Sequence, residues 1–300
     1  MPEVYTLIDS RGTPMALSLP NVRLRDVDGL GMPDLRHLSE QYAQQDGETY
    51  LDTRLSKRIV IFSYQLVYNN ESDLWDARDD LLEIMKVFAS GFTLQIVTPN
   101  GNTRLITLRY DSALSLPRSL EMAHEMQVVA LQCVAHDPLL YSPNEVAVDF
   151  SAGLYAGTWI FGTLTGLIFP ATFGSSVINT PTLVTNLGSW LAYPRLLIGG
   201  PLSGPIIENL TTSEKLDLSS YTLVAGEAVV VDLRFGYKTI TSSINGNILR
   251  YLSTDSDLAT FHLAADPEAL NGDNTIIAHG SGATVAAQFI LAYTPRWIGV

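Results

Sequence analysis

IVIFSYQLVYNNESDLWDARDDLLEIMKVFASGFTLQIVTPNGNTRLITLRY, residues 59–110, passes from strand to helix to hairpin within one stretch. Val60, Phe62, Tyr64, Leu66 and Tyr68 alternate with the intervening residues, the period of a strand with one buried side. Leu74, Ala77, Leu81, Met85 and Phe88 then recur at helical spacing, which predicts a helix over about 72–90. Ser72 is placed to cap its first turn, acids crowd that turn, Lys86 sits in the last, and Gly91 ends it. Phe92–Val97 and Thr103–Tyr110 flank Pro99-Asn100-Gly101-Asn102 and predict a hairpin.

Outward from this stretch the pattern stays β. Gln127–Ala135 alternates as a strand closed by Asp137-Pro138. No helical period appears after Gly91. Val229, Val231, Leu233 and Phe235 share one face of a strand, and Asn245-Gly246 predicts a two-residue hairpin turn. Phe261 and Leu263 face one side and His262 the other, while Val285, Ala287, Phe289, Leu291 and Tyr293 mark a last long strand. Short strands with frequent turn signals predict an antiparallel sandwich. The fold class is therefore mainly β, with a β-rich N-terminal domain holding one α-helix and a C-terminal antiparallel β-sandwich. Composition shifts near 142–158 divide the chain into 1–150, an apolar Gly/Thr-rich connector at 151–180, and 181–300.

At roughly 150 residues per domain, 300 residues suit two domains with real cores. Lys and Arg total 18 against 31 Asp and Glu, for a net charge of −13. Residues 1–150 hold 12 basic and 21 acidic residues, a net of −9. That balance argues against specific nucleic-acid binding and against an anionic membrane surface. Only 16% of residues are charged, and 14 of the 18 basic residues are Arg, as in chains that hide surface against other subunits. The opening MPEVYTLIDSRG lacks an apolar core, so no secretory leader is expected. LYAGTWIFGTLTGLIFP, 154–170, is borderline in length for a bilayer and has no basic anchor, so strand and loop against protein are expected, with no membrane insertion.

Chemistry is scarce. His37, His124, His136, His262 and His279 form no metal spacing, and Cys133, the one cysteine, reads as a buried inert thiol. The Gly-rich pieces at 29–31, 199–201 and 280–282 open no phosphate-binding helix, and Ser203 lies in GPLSG rather than G-x-S-x-G. No catalytic residue, metal or cofactor is expected. Asp73, Asp76, Asp80 and Glu83 form an acidic stripe by helical spacing, either a solvated face or one turned toward an aqueous channel. Trp159, Trp190, Tyr193, Tyr293 and Trp297 read as core or interface anchors, with a sugar-stacking platform as the alternative.

The order of these pieces resembles the distal tail protein (Dit) family of long-tailed bacteriophages. VVALQCVAHDPLLYSP (128–143) is similar to the segment that closes the family's N-terminal domain. LIFPATF (167–173), NLGSWLAYPRLLIGGPLSGPIIENLTT (186–212), GEAVVVDLRFGYKTI (226–240) and FHLAADPEALNGDNTIIAHG (261–280) are similar to parts of its C-terminal domain. Asn271-Gly272-Asp273-Asn274 departs from the family's usual Pro-Gly-x-Asn, and the apolar 154–166 segment is an elaboration. The resemblance implies a galectin-like C-terminal sandwich and an N-terminal domain that forms a hexameric ring. Such a ring sits at the virion tail tip, joins the tail tube protein to the baseplate hub and receptor-binding proteins, and lets DNA pass. The chain would be made in the host cytoplasm. An acidic or neutral channel is expected, since a basic one lined by residues such as Arg23, Arg25, Arg54 and Arg58 would hold DNA. The alternatives are a carbohydrate-binding or adhesin sandwich, which needs aromatics on an exposed sheet face, and another tail tube or hub subunit.

Overall fold

The computed structural model describes residues 3–9, 12, 14–16, 22–67, 70–87, 91–112, 126–151, 178–283 and 287–300. The chain divides into two units, one made of Met1–Pro143 with Trp297–Val300 and the other of Asn144–Arg296. The sequence-drawn junction at 150 differs from this division. Val146–Ser151 pairs with Gln288–Tyr293 and belongs to the second unit, and the last four residues return to the first. Of the connector at 151–180, residues 152–177, with the apolar 154–170 stretch, lie outside the described residues.

The strands of the first unit are β1 (Val4–Ile8), β2 (Pro14–Ala16), β3 (Val22–Asp28), β4 (Leu35–Glu40), β5 (Thr49–Leu55) and β6 (Arg58–Val67). After the helix α1 (Glu71–Val87) come β7 (Phe92–Val97), β8 (Thr103–Tyr110), β9 (Met126–Ala135) and β10 (Leu140–Tyr141). All but β4 and β5 join a sheet whose main path runs β2-β1-β7-β8-β9-β6-β3. The expected alternation holds: Val60, Phe62, Tyr64 and Leu66 are buried, with Val129, Leu131 and Cys133 from β9 and Leu94, Ile96, Ile106 and Leu108 from the hairpin in the same core. Tyr68 and Phe88 lie outside the described residues, as do the side chains of Ala77, Leu81 and Met85. The hairpin pairs Phe92 with Leu108 and Val97 with Thr103. Its loop closes through Thr98 N–H to Asn102 O at 2.9 Å, with Gly101 at φ +85 where a side chain would be strained.

Two local expectations shift. The helix is capped by Asn70 rather than Ser72: Asn70 Oδ1 accepts from Asp73 N–H at 2.9 Å, and Asn70 Nδ2 donates to Asp73 Oδ2 at 3.0 Å. This reciprocal cap satisfies an otherwise orphaned N–H and begins the helix at Glu71. In the second unit Phe235 is 86% exposed, because the strand stops at Asp232 and the chain turns at Gly236, φ +85.

The second unit holds β11 (Val146–Ser151), β12 (Ile178–Thr185), β13 (Arg195–Gly199), β14 (Leu202–Asn209), β15 (Glu214–Asp217) and β16 (Thr222–Leu223). They are followed by β17 (Ala228–Asp232), β18 (Thr239–Ser242), β19 (Gly246–Asn247), β20 (Asp273–Ser281) and β21 (Gln288–Tyr293). One sheet runs β11-β21-β13-β17-β18-β19 and the other β12-β20-β14-β15, and all their pairings are antiparallel. Leu196, Ile198, Val229, Val231, Phe289 and Leu291 from the first sheet share a core with Val184, Ile207, Leu216, Ile276 and Ala278 from the second. The Asn245-Gly246 expectation is corrected: Ser242 pairs with Gly246, so the turn is Ser243–Asn245 and Gly246, φ +65, opens the return strand. Three buried amides tie the loops to this core. Asn274 donates to Ala264 O and accepts from Ala264 N–H, both at 2.9 Å, Asn209 donates to His262 O at 2.9 Å, and Asn186 donates to Trp190 O at 3.0 Å. A buried amide with these partners replaces the backbone pairs that a loop cannot supply.

Candidate assembly surfaces

The residues singled out for chemistry do not converge. Cys133 is buried, and burial pushes its thiol up to about 12. His136 is exposed, and among the described residues no three His, Cys, Asp or Glu side chains are grouped to hold a metal. Tyr293 is buried in the second unit and its hydroxyl donates to Thr185 O. Tyr193 lies under Lys238 Nζ at 4.1 Å, and Trp297 under Arg104 at 5.0 Å in the first unit, so these rings already carry cations. Trp159 lies outside the described residues. Of the acidic stripe, Asp73 and Asp76 are exposed on α1, and the side chains of Asp80 and Glu83 lie outside the described residues. Trp75 and Leu82 are also exposed on this helix. Among the described residues no helix is long and apolar enough to cross a membrane.

The first unit builds a clamp that sequence reasoning missed. Arg58, 2% exposed, donates from Nε to Pro138 O at 2.7 Å, from Nη1 to Gly29 O at 2.9 Å and to Gly31 O, and from Nη2 to Ile298 O at 2.6 Å. Gly29, at φ +90, brings its backbone against Ile59, where a Cβ would stand 2.0 Å from Ile59 O. The returning C-terminal residues are held further by Val300 N–H to Leu30 O at 3.1 Å and by Arg104 to Gly299 O. Arg58 is therefore structural and cannot line a hole, unlike the exposed Arg23, Arg25 and Arg54.

The same unit carries an unsupported ribbon. Among the described residues β4 and β5 pair only with each other. Leu35, Tyr42, Tyr50 and Leu51 are exposed on it, Tyr50 by 62%. An isolated two-stranded ribbon is marginal in water. This one is stiffened by side chains instead: Tyr42 OH donates to Glu40 Oε2 at 2.9 Å, Gln45 to Thr49 Oγ1 at 2.9 Å, and Ser39 to Glu48. At one limit of the main sheet, β3 pairs only with β6 among the described residues and exposes Arg23 and Arg25.

Polar chemistry in the second unit serves its loops. His262 Nδ1 lies 3.1 Å from Glu214 Oε2 and 2.9 Å from Thr260 O, so it carries the proton. The bond to Glu214 raises the His262 pKa. Burial works against the Glu214 carboxylate, but the His262 bonds outweigh it and hold its pKa down. Glu227 is buried yet accepts from Tyr221, Ser242 and Val224 N–H, and these bonds outweigh burial and lower its pKa. Beyond β17, Arg234 is held by Asp232 at 2.7 Å and stacks on Tyr237 at 4.6 Å, which fixes the turn that presents Phe235.

No protein-family model matches the sequence, and no curated protein matches it. Solved structures do. The Dit protein of phage SPP1, described as a paradigm of the hub adsorption apparatus in phages infecting Gram-positive hosts, matches 98% of this chain and 99% of its own. The TM-score is 0.63 at 16% identity. Two structures of the phage P2 baseplate in its activated conformation, with Ca and with Sr, match 97% of this chain at 8% identity, with TM-scores of 0.40 and 0.39. Over nearly its whole length, this chain has the fold of SPP1 Dit.

Proposed function

We propose that the chain is a structural protein of a phage tail tip, where copies assemble into a ring, hexameric in the family it resembles, that joins the tail tube to the baseplate hub. The observation that carries this reading is the end-to-end fold match to SPP1 Dit, which includes both units. The β4–β5 ribbon, which among the described residues pairs only with itself, supports it, because a two-stranded ribbon is marginal in water and gains stability from a packed neighbour. The first unit forms the ring and lets DNA through, the galectin-like second unit decorates it, and receptor-binding proteins attach through the assembled tip. Net charge of −9 over residues 1–150 makes the channel repel DNA mildly, with Asp73, Asp76, Asp80 and Glu83 as its candidate lining. The chain works as scaffold, without catalysis or cofactor. Gold-labelled antibody against the chain, imaged on virions that carry it, tests the placement: label at the tail tip is expected, and label along the shaft or on the capsid contradicts it.

A further inference from the structure

Two links of the second unit bridge the same gap between its sheets. β20 ends at Ser281 and β21 begins at Gln288, so six residues make the first link. β11 ends at Ser151, opposite Gln288, and β12 begins at Ile178, opposite Gly280. This second link takes 26 residues, most of them surplus to the crossing. Residues 152–177 carry no Asp, Glu, Lys or Arg and include the apolar runs Trp159-Ile160-Phe161 and Leu167-Ile168-Phe169. Such runs gain free energy from cover against water.

β11 is the edge of the sheet β11-β21-β13-β17-β18-β19. Leu196, Ile198, Val229, Val231, Phe289 and Leu291 point into the core, so Leu197, Val230 and Ile290 point outward. Leu197 stands opposite both Ile290 and Val230, which makes an apolar row across three neighbouring strands. Leu197 and Val230 are exposed. Gly199 and Ala228 flank the row on one side, and Ala147 and Ala292 on the other. The nearby charges stand at the rim: Asp149 on β11, and Arg195 paired with Glu145 at 2.6 Å. The outer face of the other sheet instead carries Glu208 with His279 at 3.6 Å, and Lys215 and Asp217.

We propose that residues 154–170 pack on the outer face of this sheet of their own chain, with the two apolar runs covering Leu197, Val230 and Ile290. The segment leaves from the edge of that same sheet and matches the row in lacking charge. Val230 lies three strands in from β11, roughly 14 Å at the usual strand spacing, which about five extended residues span. Tethering favours this occupant over a second copy, because a segment joined beside the face meets it at high effective concentration.

Thiol labelling of Val230→Cys in the full chain tests this, with Cys133 buried and out of competition. The rate is compared with that of the same variant whose residues 154–170 are replaced by Gly and Ser over an equal length. Replacement is expected to speed labelling about ten-fold or more, as for loss of a local cover. Leu183→Cys, on the outer face of the other sheet, should label at the same rate in both. Equal rates at Val230→Cys overturn the docking, and so does an equal acceleration at both positions. Protection that fades on dilution makes a second copy the cover and overturns it too. Melting curves confirm folding, and if the replacement unfolds the unit, chymotrypsin digestion of the intact segment decides instead. Cleavage after Tyr155 and Trp159 should be slow in the parent and about ten-fold faster in Leu197→Asp with Val230→Asp, and equal cleavage overturns the docking.

Discussion

Replacing Arg58 with Met keeps the length and apolar volume of the side chain and removes its five N–H donors. The guanidinium is 2% exposed and is shared among the carbonyls of Gly29, Gly31, Pro138 and Ile298. These carbonyls come from three separate segments of the first unit, so the residue acts as a staple between loops. Each buried acceptor left without a donor costs roughly 1–3 kcal/mol. Part of this is offset because the buried charge, whose pKa burial lowers, is gone as well. The costs do not add fully, and the net loss is about 3–5 kcal/mol. For a unit of roughly 150 residues that lowers the melting point by about 10 °C. Calorimetry of the full chain is the assay, with Arg58→Lys as a second variant, since an ammonium cannot reach all four carbonyls. The first unit's transition should fall and the second's should stay. An Arg58→Met variant melting within about 1 °C of the parent would refute the clamp.

Removing Trp297–Val300 should lower the same transition by about 2–5 kcal/mol, since it strips the Ile298, Gly299 and Val300 contacts together, and urea unfolding followed at both units checks it. Leu74→Ala should cost about 2–5 kcal/mol in the first unit, because Leu74 is a buried contact of α1, and thermal melts decide. Gly246→Val should destabilise the second unit alone, by about 1–2 kcal/mol, because φ is +65 there, and a matching loss in the first unit contradicts this. The His262–Glu214 pair makes the second unit pH-dependent. His262's raised pKa gives stability that is complete below its unfolded value near 6.5 and lost as pH rises through the folded value. Glu214's lowered pKa gives stability present above the ordinary carboxylate range and lost as pH falls through its folded value. Melts from pH 5 to 8.5 should decline toward the alkaline end, and His262→Gln should flatten that decline.

The parts legible in the sequence are those with local physical causes. Val60, Phe62, Tyr64 and Leu66 alternate because one face is buried, and Pro99-Asn100-Gly101-Asn102 turns because Gly101 takes positive φ. The cap shifted by two residues because Asn70 and Ser72 are both good caps, and only the reciprocal bond with Asp73 selects Asn70. Phe235 kept the alternation of β17 although the strand had ended, so periodicity overran a turn that Gly236 marks. The ribbon escaped notice because Leu35–Glu40 and Thr49–Leu55 have no buried face, and a strand without one shows little periodicity. Asp46-Gly47, with Gly47 at φ +83, was the available turn signal. The Arg58 clamp left no trace, since its partners lie 27 to 240 residues away. The order of motifs pointed to the Dit fold, whereas the self-paired ribbon emerged only when β4 and β5 were placed.

Negative-stain class averages of the purified full-length chain, with mass measured by light scattering on the same sample, test the central claim that copies close into a ring through the first unit. The account predicts closed rings with a central hole and a mass that is a whole multiple of 32.8 kDa, six-fold as the resemblance implies. Single two-unit particles at every concentration, or open filaments without closure, would contradict it.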